Sequence, residues 1–454
     1  MSLKVVSSKA PQDMSEYVIS SALKSGASFA DFVYVDRNSK RMSLSNGKPE
    51  KNISGHSSGA GLRTIDHKGR QGVAYVNSFE DQDLRDLVEW SINNCRASEP
   101  DPYIFLYDGD IPSQEELGLY DKNVEKLTPE DRLSICSEMT EIANEADRRV
   151  ISVRSASWAD GSIGVFYGTS KGFRSQYRTS YASSSVAVVL EDNGKREMGG
   201  FGDESRNLES LDHRATSRLA VERTAAVLGG APVPTGKYDI VLDPESTVDI
   251  IEILGDLFLS SNIYKGRSLF RDKKGLKVGS PEITIIDDGR KWGGMGTSPF
   301  DGEGYPSQKT VLMENGVVSS FLYNLKYANI FGVKSTGNAS RGLSSLPDVD
   351  ITNLYIKPGN KKPSDILSEI SRGIYVMELL GLHTIDPVSG EFSLGIKGIL
   401  VEKGQMTRPV SGMTIAGNIV EILDSVETVG NDLRFFGNIG GCTLVVKNVS
   451  TAGS

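Results

Sequence analysis

The segment TVDIIEILGDLF, residues 247–258, predicts an amphipathic helix in which Ile and Leu recur at helical spacing. It follows a predicted buried strand and turn, YDIVLDPES, residues 238–246. The helix carries Glu252 and Asp256, which lie four positions apart and therefore share one face. Two carboxylates beside an apolar stripe fit a catalytic pair, a metal site that has lost its other ligands, or a solvated edge. The residues of this segment leave all three interpretations open.

Length and charge limit the class of protein. The chain has 454 residues, which predicts two or three domains, and its 38% of hydrophobic residues can bury a sizeable core. The net charge is −9, and the sequence contains no long run of Lys and Arg. Because affinity for nucleic acid depends on clustered basic residues, we expect no direct nucleic-acid partner.

The cysteines and the apolar runs indicate the compartment. Cys95, Cys136 and Cys442 are far apart and form no CxxC pair, so a disulfide framework is not expected. A reducing cytoplasm fits this usage. The N-terminal residues lack the apolar core of a signal peptide, and no run approaches the roughly 18 apolar residues of a membrane span. We therefore expect a cytoplasmic protein without a membrane segment.

The first half alternates helices with strands. Apolar spacing with start and stop signals predicts helices at 11–26, 78–98, 128–149 and 209–228, with Ser78 and Thr128 as N-caps. Strands are predicted from residue 28 and at 150–202. Turn signals stand at Asn46-Gly47, at His67-Lys68-Gly69, and at the DG, KG and NG pairs 160–161, 171–172 and 193–194.

A domain boundary is predicted at GGAPVPTGKYD, residues 229–239, which is rich in Gly and Pro. It separates an N-terminal α/β domain (1–230) with antiparallel strands from a β-rich C-terminal domain (236–454). The first domain can be divided further into 1–120 and 121–230. The second contains a glycine-rich loop (287–307), a hairpin (309–324), helices at 324–332 and 414–426, and strands within 373–402 and 441–449. The fold class is therefore α+β.

The sequence contains no complete motif for a metal or nucleotide site. The histidines are His56, His67, His213 and His383; none begins an HExxH motif and no two are close in sequence. Catalytic zinc needs three protein ligands, which could here meet only through the fold. The glycine-rich loop lacks the GxxxxGK[ST] spacing of a phosphate loop, and we interpret it as a mobile loop beside a cleft.

Two segments carry candidate residues of a substrate cleft. STGNASRG, residues 335–342, offers backbone N–H groups, Asn338 and Arg341 to a peptide or carboxylate, because Arg matches a carboxylate with two parallel hydrogen bonds. A loop that ends a helix explains the same segment equally well. His383 stands between apolar residues on a predicted strand, which suits an imidazole in a cleft or a core histidine. No GxSxG nucleophile motif is present.

Several ordered segments resemble the TldD/PmbA family. They are YGTSKGFRSQYRTSYASSSVAVV (167–189), VKSTGNASRG (333–342), VSGEFSLGIKG (388–398), MTIAGNIVEIL (413–423) and VGNDLRFFGNIGGCTLVV (429–446). The resemblance runs from about residue 15 to the C-terminus. It implies a cytosolic role in proteolysis, and members of the family have been linked to modulation of DNA gyrase.

The family has a TldD-like branch with HExxxH on a helix and a PmbA/TldE-like branch without the metal ligands. In the register set by YDIVLDPES, Ile251, Glu252 and Asp256 occupy the His, Glu and His positions. Ile cannot bind a metal, and Asp256 alone falls short of three ligands. Glu252 is then the remnant of a general-base position. The segment VGNDLRFFG resembles the PmbA-like form of this region. Cys442 lies in a strand-like context, so we assign it no metal-ligand role.

The resemblance thus implies a zinc-less PmbA/TldE-like subunit that needs no cofactor of its own and forms a peptide-processing chamber with a TldD-like paralogue that holds zinc. A homodimer is the other assembly considered. The expected substrate is a peptide or unfolded protein. Two alternatives remain: a stand-alone metallopeptidase that combines His383, Asp256 or Glu252 as ligands, and a peptide-binding module without catalysis.

Overall fold

The computed structural model describes residues 10–110 and 116–453. Its helices are α1 (Pro11–Lys24), α2 (Asp81–Ala97), α3 (Pro129–Ala146), α4 (His213–Val227), α5 (Pro244–Leu257), α6 (Ser260–Tyr264), α7 (Leu325–Phe331), α8 (Pro363–Glu369) and α9 (Ile419–Asp424).

Strands account for more of the chain than helices do. They are β1 (Phe29–Ser45), β2 (Lys48–Ile65), β3 (Gln71–Val76), β4 (Val150–Thr169), β5 (Arg174–Asp192), β6 (Lys195–Ser205), β7 (Gly236–Leu242), β8 (Ile285–Asp288), β9 (Lys309–Glu314), β10 (Val317–Val318), β11 (Ala339–Ser340), β12 (Asp348–Val349), β13 (Leu354–Ile356), β14 (Arg372–Leu380), β15 (Glu391–Glu402), β16 (Gln405–Asn418), β17 (Val426–Val429), β18 (Arg434–Phe436), β19 (Ile439–Gly441) and β20 (Leu444–Gly453).

The first half forms an antiparallel sheet in the order β3-β2-β1-β4-β5-β6. On one face, α1 and α2 cover β1 to β3 through Val18, Leu87 and Phe32, which share a core cluster. On the same sheet, α3 and α4 pack on β4 to β6 through a second cluster. Along β1, Phe32 belongs to the helix-covered core and Val33 to a different cluster that includes Phe300 of the second half. The sheet therefore joins the helices to the C-terminal part of the chain.

The predicted turns of this sheet are confirmed at four places and wrong at one. Positive φ angles, as tight turns require, occur at Asn46-Gly47, Gly69, Gly172 and Asn193-Gly194. Asp160-Gly161, in contrast, lies inside β4, which continues without a turn. A Cβ atom at Gly161 would lie 2.1 Å from the carbonyl oxygen of Asn38, so this glycine permits close approach of β1.

The N-cap prediction is wrong for α2 and confirmed for α3. Glu80, not Ser78, is the N-cap of α2, and Ser78 instead donates a hydrogen bond to Asp83 at 2.5 Å. In α3, Thr128 Oγ1 accepts a hydrogen bond from the N–H of Asp131 at 3.1 Å. The side chain of Asp131 in turn accepts a hydrogen bond from the N–H of Thr128. This exchange is the capping box that the sequence motif suggests.

The second half contains two larger sheets. One has the order β16-β15-β14-β7-β20-β17, and β16 also pairs with β20, so that β7, β14, β15, β16 and β20 close into a barrel. Apolar side chains such as Ile240, Leu394 and Ile415 line its interior. The other sheet has the order β10-β9-β8-β13-β19-β18. Together with the first half, these sheets confirm the α+β class.

Helix α5, which contains most of the opening segment, packs against strands of both sheets, chiefly β19, β14 and β13. It begins where Asp243 accepts the N–H of Ser246 at 2.8 Å and Pro244 occupies the first turn. Ile251 and Leu254 are buried on its inner face. The helix predicted from this apolar spacing is therefore confirmed.

The helix predicted at 414–426 is only partly confirmed. Strand β16 continues to Asn418, because residues up to that point pair with β15, and only Ile419–Asp424 are helical. The side chain of Asn418 accepts the N–H of Val420 at 3.0 Å and starts this short helix. Pairing with a neighbouring strand thus overrides the local helical pattern.

Replacement of Gly441 by Ala tests how α5 is held. A methyl group there would lie 2.2 Å from the carbonyl oxygen of Pro244 and 3.0 Å from the backbone nitrogen of Val248. We expect Gly441→Ala to lower the free energy of unfolding by about 2 kcal/mol or more, because the first turn of α5 must move. Gly202→Ala, whose new methyl meets nothing closer than 3.5 Å, is the matched control in urea denaturation. Equal stability of the two variants would contradict this packing.

Candidate functional site

The outer face of α5 carries a row of acids. Glu245, Asp249, Glu252 and Asp256 follow one another at spacings of four, three and four residues, which places them on one helix face. Glu252 and Asp256 are exposed, whereas Ile251 is 2% exposed and packs in the core. Sequence reasoning found the last two acids and missed the first two, although the same spacing continued upstream.

The residues that the sequence resemblance sets at the metal-ligand positions of α5 do not fit a zinc ion. Ile251 offers no donor atom and faces the core, so the first ligand position holds no ligand and Asp256 stands at the second. Within the described ranges, no three His, Cys, Asp or Glu side chains are grouped so as to hold a metal. Cys442 is a buried free thiol, and burial raises its pKa to about 12.

The electrostatics of the acidic face favour protonation. Burial, followed by the charges of Glu245 and Glu252, raises the pKa of Asp249 to about 7. Partial desolvation by the neighbouring protein surface, followed by the charge of Asp350, also raises the pKa of Asp256. The negative charges along this helix face thus disfavour ionisation of each neighbouring carboxyl group.

A cavity of about 270 Å³ lies between the N-terminal sheet and loops of the second half. Its first wall is made by side chains of β1, β4 and β5, among them Val35, Tyr167 and Tyr177. Its second wall is made by parts of the glycine-rich loop and by residues 337–341 and 350–352. Asn338 and Arg341 both belong to this second wall.

His383 is not part of the cavity. It lies in a 3-10 turn, Leu382–Thr384, between β14 and β15, and it is exposed. The prediction of a histidine on a strand, in a cleft or in the core, is therefore wrong. Gly381, with a φ angle of 86°, ends β14 just before this position and turns the chain outwards.

Asn338 has its hydrogen-bonding groups engaged within the protein. Its Nδ2 donates to Asp287 Oδ2 at 2.8 Å and to the carbonyl of Asp350 at 3.0 Å, while its Oδ1 accepts from Thr336 at 2.7 Å. Burial raises the pKa of Asp287 to about 6. These contacts suit a residue that fixes the shape of the cavity wall.

Arg341 joins a buried ion network that spans the two halves. Asp31 Oδ2 accepts from Arg63 Nε at 2.8 Å and Nη2 at 2.5 Å, and Asp31 Oδ1 accepts from Arg341 Nη1. Glu303 lies 3.6 Å from Arg63 Nη1. Burial opposes ionisation of Asp31, but the charges of Arg341 and Arg63 outweigh it and lower the pKa of this carboxyl. Sequence reasoning missed Asp31, Arg63 and Glu303, because Arg341 lies 310 positions from Asp31 and because Asp31 meets Arg63 only through the pairing of β1 with β2.

Further contacts hold the glycine-rich loop. Arg206 donates to the carbonyls of Gly294 at 3.0 Å and Met295 at 2.5 Å. Asp301 accepts the backbone N–H groups of Glu303, Tyr305 and Ala339 at 2.9 to 3.0 Å. Burial and the charge of Glu303 raise the pKa of Asp301. The loop interpreted as mobile is thus tied to both halves of the molecule.

Comparison with known proteins identifies the family. Residues 30–95, 122–228 and 235–453 match the PmbA/TldA metallopeptidase domain 1, central domain and C-terminal domain. A metalloprotease TldD homolog from Buchnera aphidicola subsp. Acyrthosiphon pisum is 30% identical over 347 residues, which cover 72% of this chain and 71% of that protein. The chain belongs to the PmbA/TldD family. The resemblance noted in the sequence is therefore confirmed.

Other members of the PmbA/TldD family match along nearly the whole length. Metalloprotease PmbA of Escherichia coli O157:H7 is 25% identical and covers 100% of this chain and 99% of its own. A crystal structure from Thermotoga maritima, of a candidate modulator of a DNA gyrase, has a TM-score of 0.89 at 24% identity, covering 97% and 100% of the two chains. TldE from Thermococcus kodakarensis has a TM-score of 0.88 at 21% identity, with the same coverage. These structures show a shared fold.

The helices of the described residues are each too short or too polar to cross a lipid bilayer.

Replacement of Asp31 tests the buried network. Asp31→Asn leaves the buried guanidinium groups of Arg63 and Arg341 without their shared counter-ion, so we expect a loss of about 3–5 kcal/mol in the free energy of unfolding. Asp147→Asn removes the partner of Arg149 in a partly exposed pair and should cost less than about 1 kcal/mol. Urea denaturation of both variants measures the difference. A cost for Asp31→Asn as small as that of the control would contradict a structural role.

The raised pKa of Asp249 predicts a pH-dependent effect. Between about pH 4 and 7 the folded state holds a proton on Asp249 that the unfolded state has lost, so stability falls as the pH rises through this window. We therefore expect the free energy of unfolding of Asp249→Asn, relative to that of the natural chain, to increase as the pH rises from about 5 to 8. Proton linkage sets the slope of this increase. The Asp249 carboxyl is surrounded by four negative charges that raise its pKa, those of Glu245, Glu252, Asp243 and Glu378.

Asp386→Asn provides the control for Asp249→Asn. Backbone hydrogen bonds from Ser389 and Val388 lower the pKa of Asp386, so its contribution is present above its unfolded pKa and is lost only in more acidic solution. Its stability difference should therefore stay constant in the same pH window. Parallel pH profiles for the Asp249 and Asp386 variants, measured by urea denaturation, would refute the assignment.

Proposed function

We propose that this chain is a PmbA/TldE-like, zinc-less subunit of a cytoplasmic metallopeptidase. It would form a peptide-processing chamber with a TldD-like paralogue that carries HExxxH and holds the zinc. The observation that supports this most is the burial of Ile251 in the core by α5, because the sequence resemblance sets Ile251 at the first ligand position of the family's HExxxH motif. Several relatives are named metalloprotease, under both the TldD and the PmbA names.

The proposal gives Glu252 no catalytic task in this chain. A general base beside zinc takes a proton from metal-bound water. Glu252 is exposed on α5, and the positions on either side of it in the motif are Ile251 and Asp256, which do not form a ligand set. The helix is kept because it packs between two sheets, and its acidic face then forms part of the chamber wall.

The cavity supplies the peptide-facing part of the proposal. Its volume of about 270 Å³ suits a few residues of an extended chain. Apolar Val33, Val35 and Val165 offer contacts to side chains, while Arg341 offers polar ones. Asn338 keeps that wall in place through its contacts with Asp287 and Thr336.

Mixing with a HExxxH-bearing relative from the same organism tests the proposal. We expect the mixture to form a complex and to cleave short peptides, because each partner supplies what the other lacks. The isolated chain should retain less than about 0.1 equivalents of zinc after dialysis, since its ligand set is incomplete. Size-exclusion chromatography, metal analysis and peptide cleavage are the measurements. Absence of both complex and cleavage would refute the subunit role.

Two matched Glu variants distinguish the subunit from a stand-alone enzyme. Changing the Glu of HExxxH to Gln in the partner should abolish cleavage without dissociating the complex. Glu252→Gln in this chain should leave cleavage nearly intact. A loss of about a hundredfold or more from Glu252→Gln, the usual contribution of a general base, would show that this chain itself carries the chemistry.

A further inference from the structure

We propose that Arg341 anchors a carboxylate in the cavity between the two halves, supplied by the C-terminus of a peptide or by an acidic side chain. The choice of a peptide as ligand rests on the proposed function. The anchor itself rests on the geometry of this arginine and of the cavity wall to which it belongs.

The donors left over on Arg341 form a fork. Nη1 is engaged by Asp31, whereas Nε and Nη2 have no hydrogen-bond partner among the described residues. Nε–H and Nη2–H lie side by side on one edge of a guanidinium and match the two oxygens of a carboxylate. Arg63 uses the same edge, Nε and Nη2, to bind Asp31 in this protein. The side chain of Arg341 is only 2% exposed, so these donors cannot rely on bulk water.

Surrounding contacts fix the direction of the fork. Asp31 holds one end of the guanidinium, and Asp301 holds the backbone of Ala339 two residues earlier at 3.0 Å. Gly302 lies against the stem: a Cβ atom there would be 3.0 Å from Cγ of Arg341. An arginine held at both ends loses little conformational freedom when it binds a ligand.

Arg341 makes fewer charged hydrogen bonds than its neighbour Arg63. Asp31 is shared between the two guanidinium groups, and the second carboxylate, Glu303, lies 3.6 Å from Arg63 Nη1. A ligand carboxylate would give Arg341 the paired hydrogen bonds that Arg63 already makes with Asp31, in a site where the low dielectric strengthens them.

Tyr167 provides a second donor in the same cavity. Its hydroxyl is buried and has no hydrogen-bond partner among the described residues. Burial, together with the charge of Asp31, raises the pKa of Tyr167 well above 10, so the hydroxyl stays protonated and can donate. Val33, Val35 and Val165 line the cavity beside it and would contact the apolar part of the ligand.

Binding of simple peptides to the full chain, without any partner, tests the inference. Isothermal titration with trialanine should show binding, and trialanine amide should bind at least about tenfold more weakly, because the amide cannot accept both charged hydrogen bonds. An amidated peptide that contains one Glu separates the two sources of carboxylate. If it binds as well as trialanine, the source can be a side chain; if it does not, the C-terminus is required. Equal binding of trialanine and its amide would overturn the inference.

Variants assign the effect to the fork. Arg341→Lys keeps the charge beside Asp31 but loses the paired donors, so trialanine affinity should fall about tenfold. Arg408→Lys, on exposed β16 away from the cavity, is the matched control and should bind normally. Tyr167→Phe removes only the unpartnered hydroxyl and should weaken binding by a smaller factor. Undiminished binding by Arg341→Lys would overturn the proposal, and so would a natural chain that binds no peptide at all, since interior water would then satisfy the fork.

The outcome is separable from that of the proposed function. Peptide binding is measured on this chain alone, whereas the subunit role is measured on the mixture with its paralogue. Carboxylate binding without cleavage in the mixture would support Arg341 as the anchor and refute the subunit role. Cleavage in the mixture, together with no preference of this chain for a free carboxylate, would support the subunit role and refute Arg341 as the anchor.

Discussion

One buried carboxylate, Asp31, joins the two halves of the molecule by binding Arg63 of the first sheet and Arg341 of a C-terminal loop. Three buried ionic groups are tolerable only while they remain paired, because an isolated charge in the interior costs several kcal/mol. The register of β1 and β2 must therefore bring Asp31 opposite Arg63, as it does. The position of the 337–341 wall, and with it the cavity, depends on the same contact.

Helix α5 is fixed by packing between two sheets. Ile251 and Leu254 fill the space between these sheets, and Gly441 lets the first turn approach β19 closely. Loss of the helix would open this core. The outer face carries acids, of which Asp249 has its pKa raised by burial and by neighbouring charges.

The sequence predicted the elements best where local signals act alone. Apolar periodicity found α5, and the N-cap residue Thr128 marked the start of α3. Prediction failed where pairing with another strand decided the conformation: Asp160-Gly161 lies inside β4 and residues 414–418 continue β16. Among the candidate site residues, Asn338 and Arg341 lie in the cavity wall, while His383 is exposed on a turn.

By itself the sequence determined the α+β class and the family, because these depend on residue type and spacing along the chain. It could not show that Asp31, Arg63 and Arg341 meet, since residue 341 lies more than 300 positions from residue 31. Nor could it show that Arg341 keeps an unpaired fork. Only tertiary structure decides which donors are buried and which acceptors reach them, because burial and hydrogen-bond geometry arise when distant segments pack together.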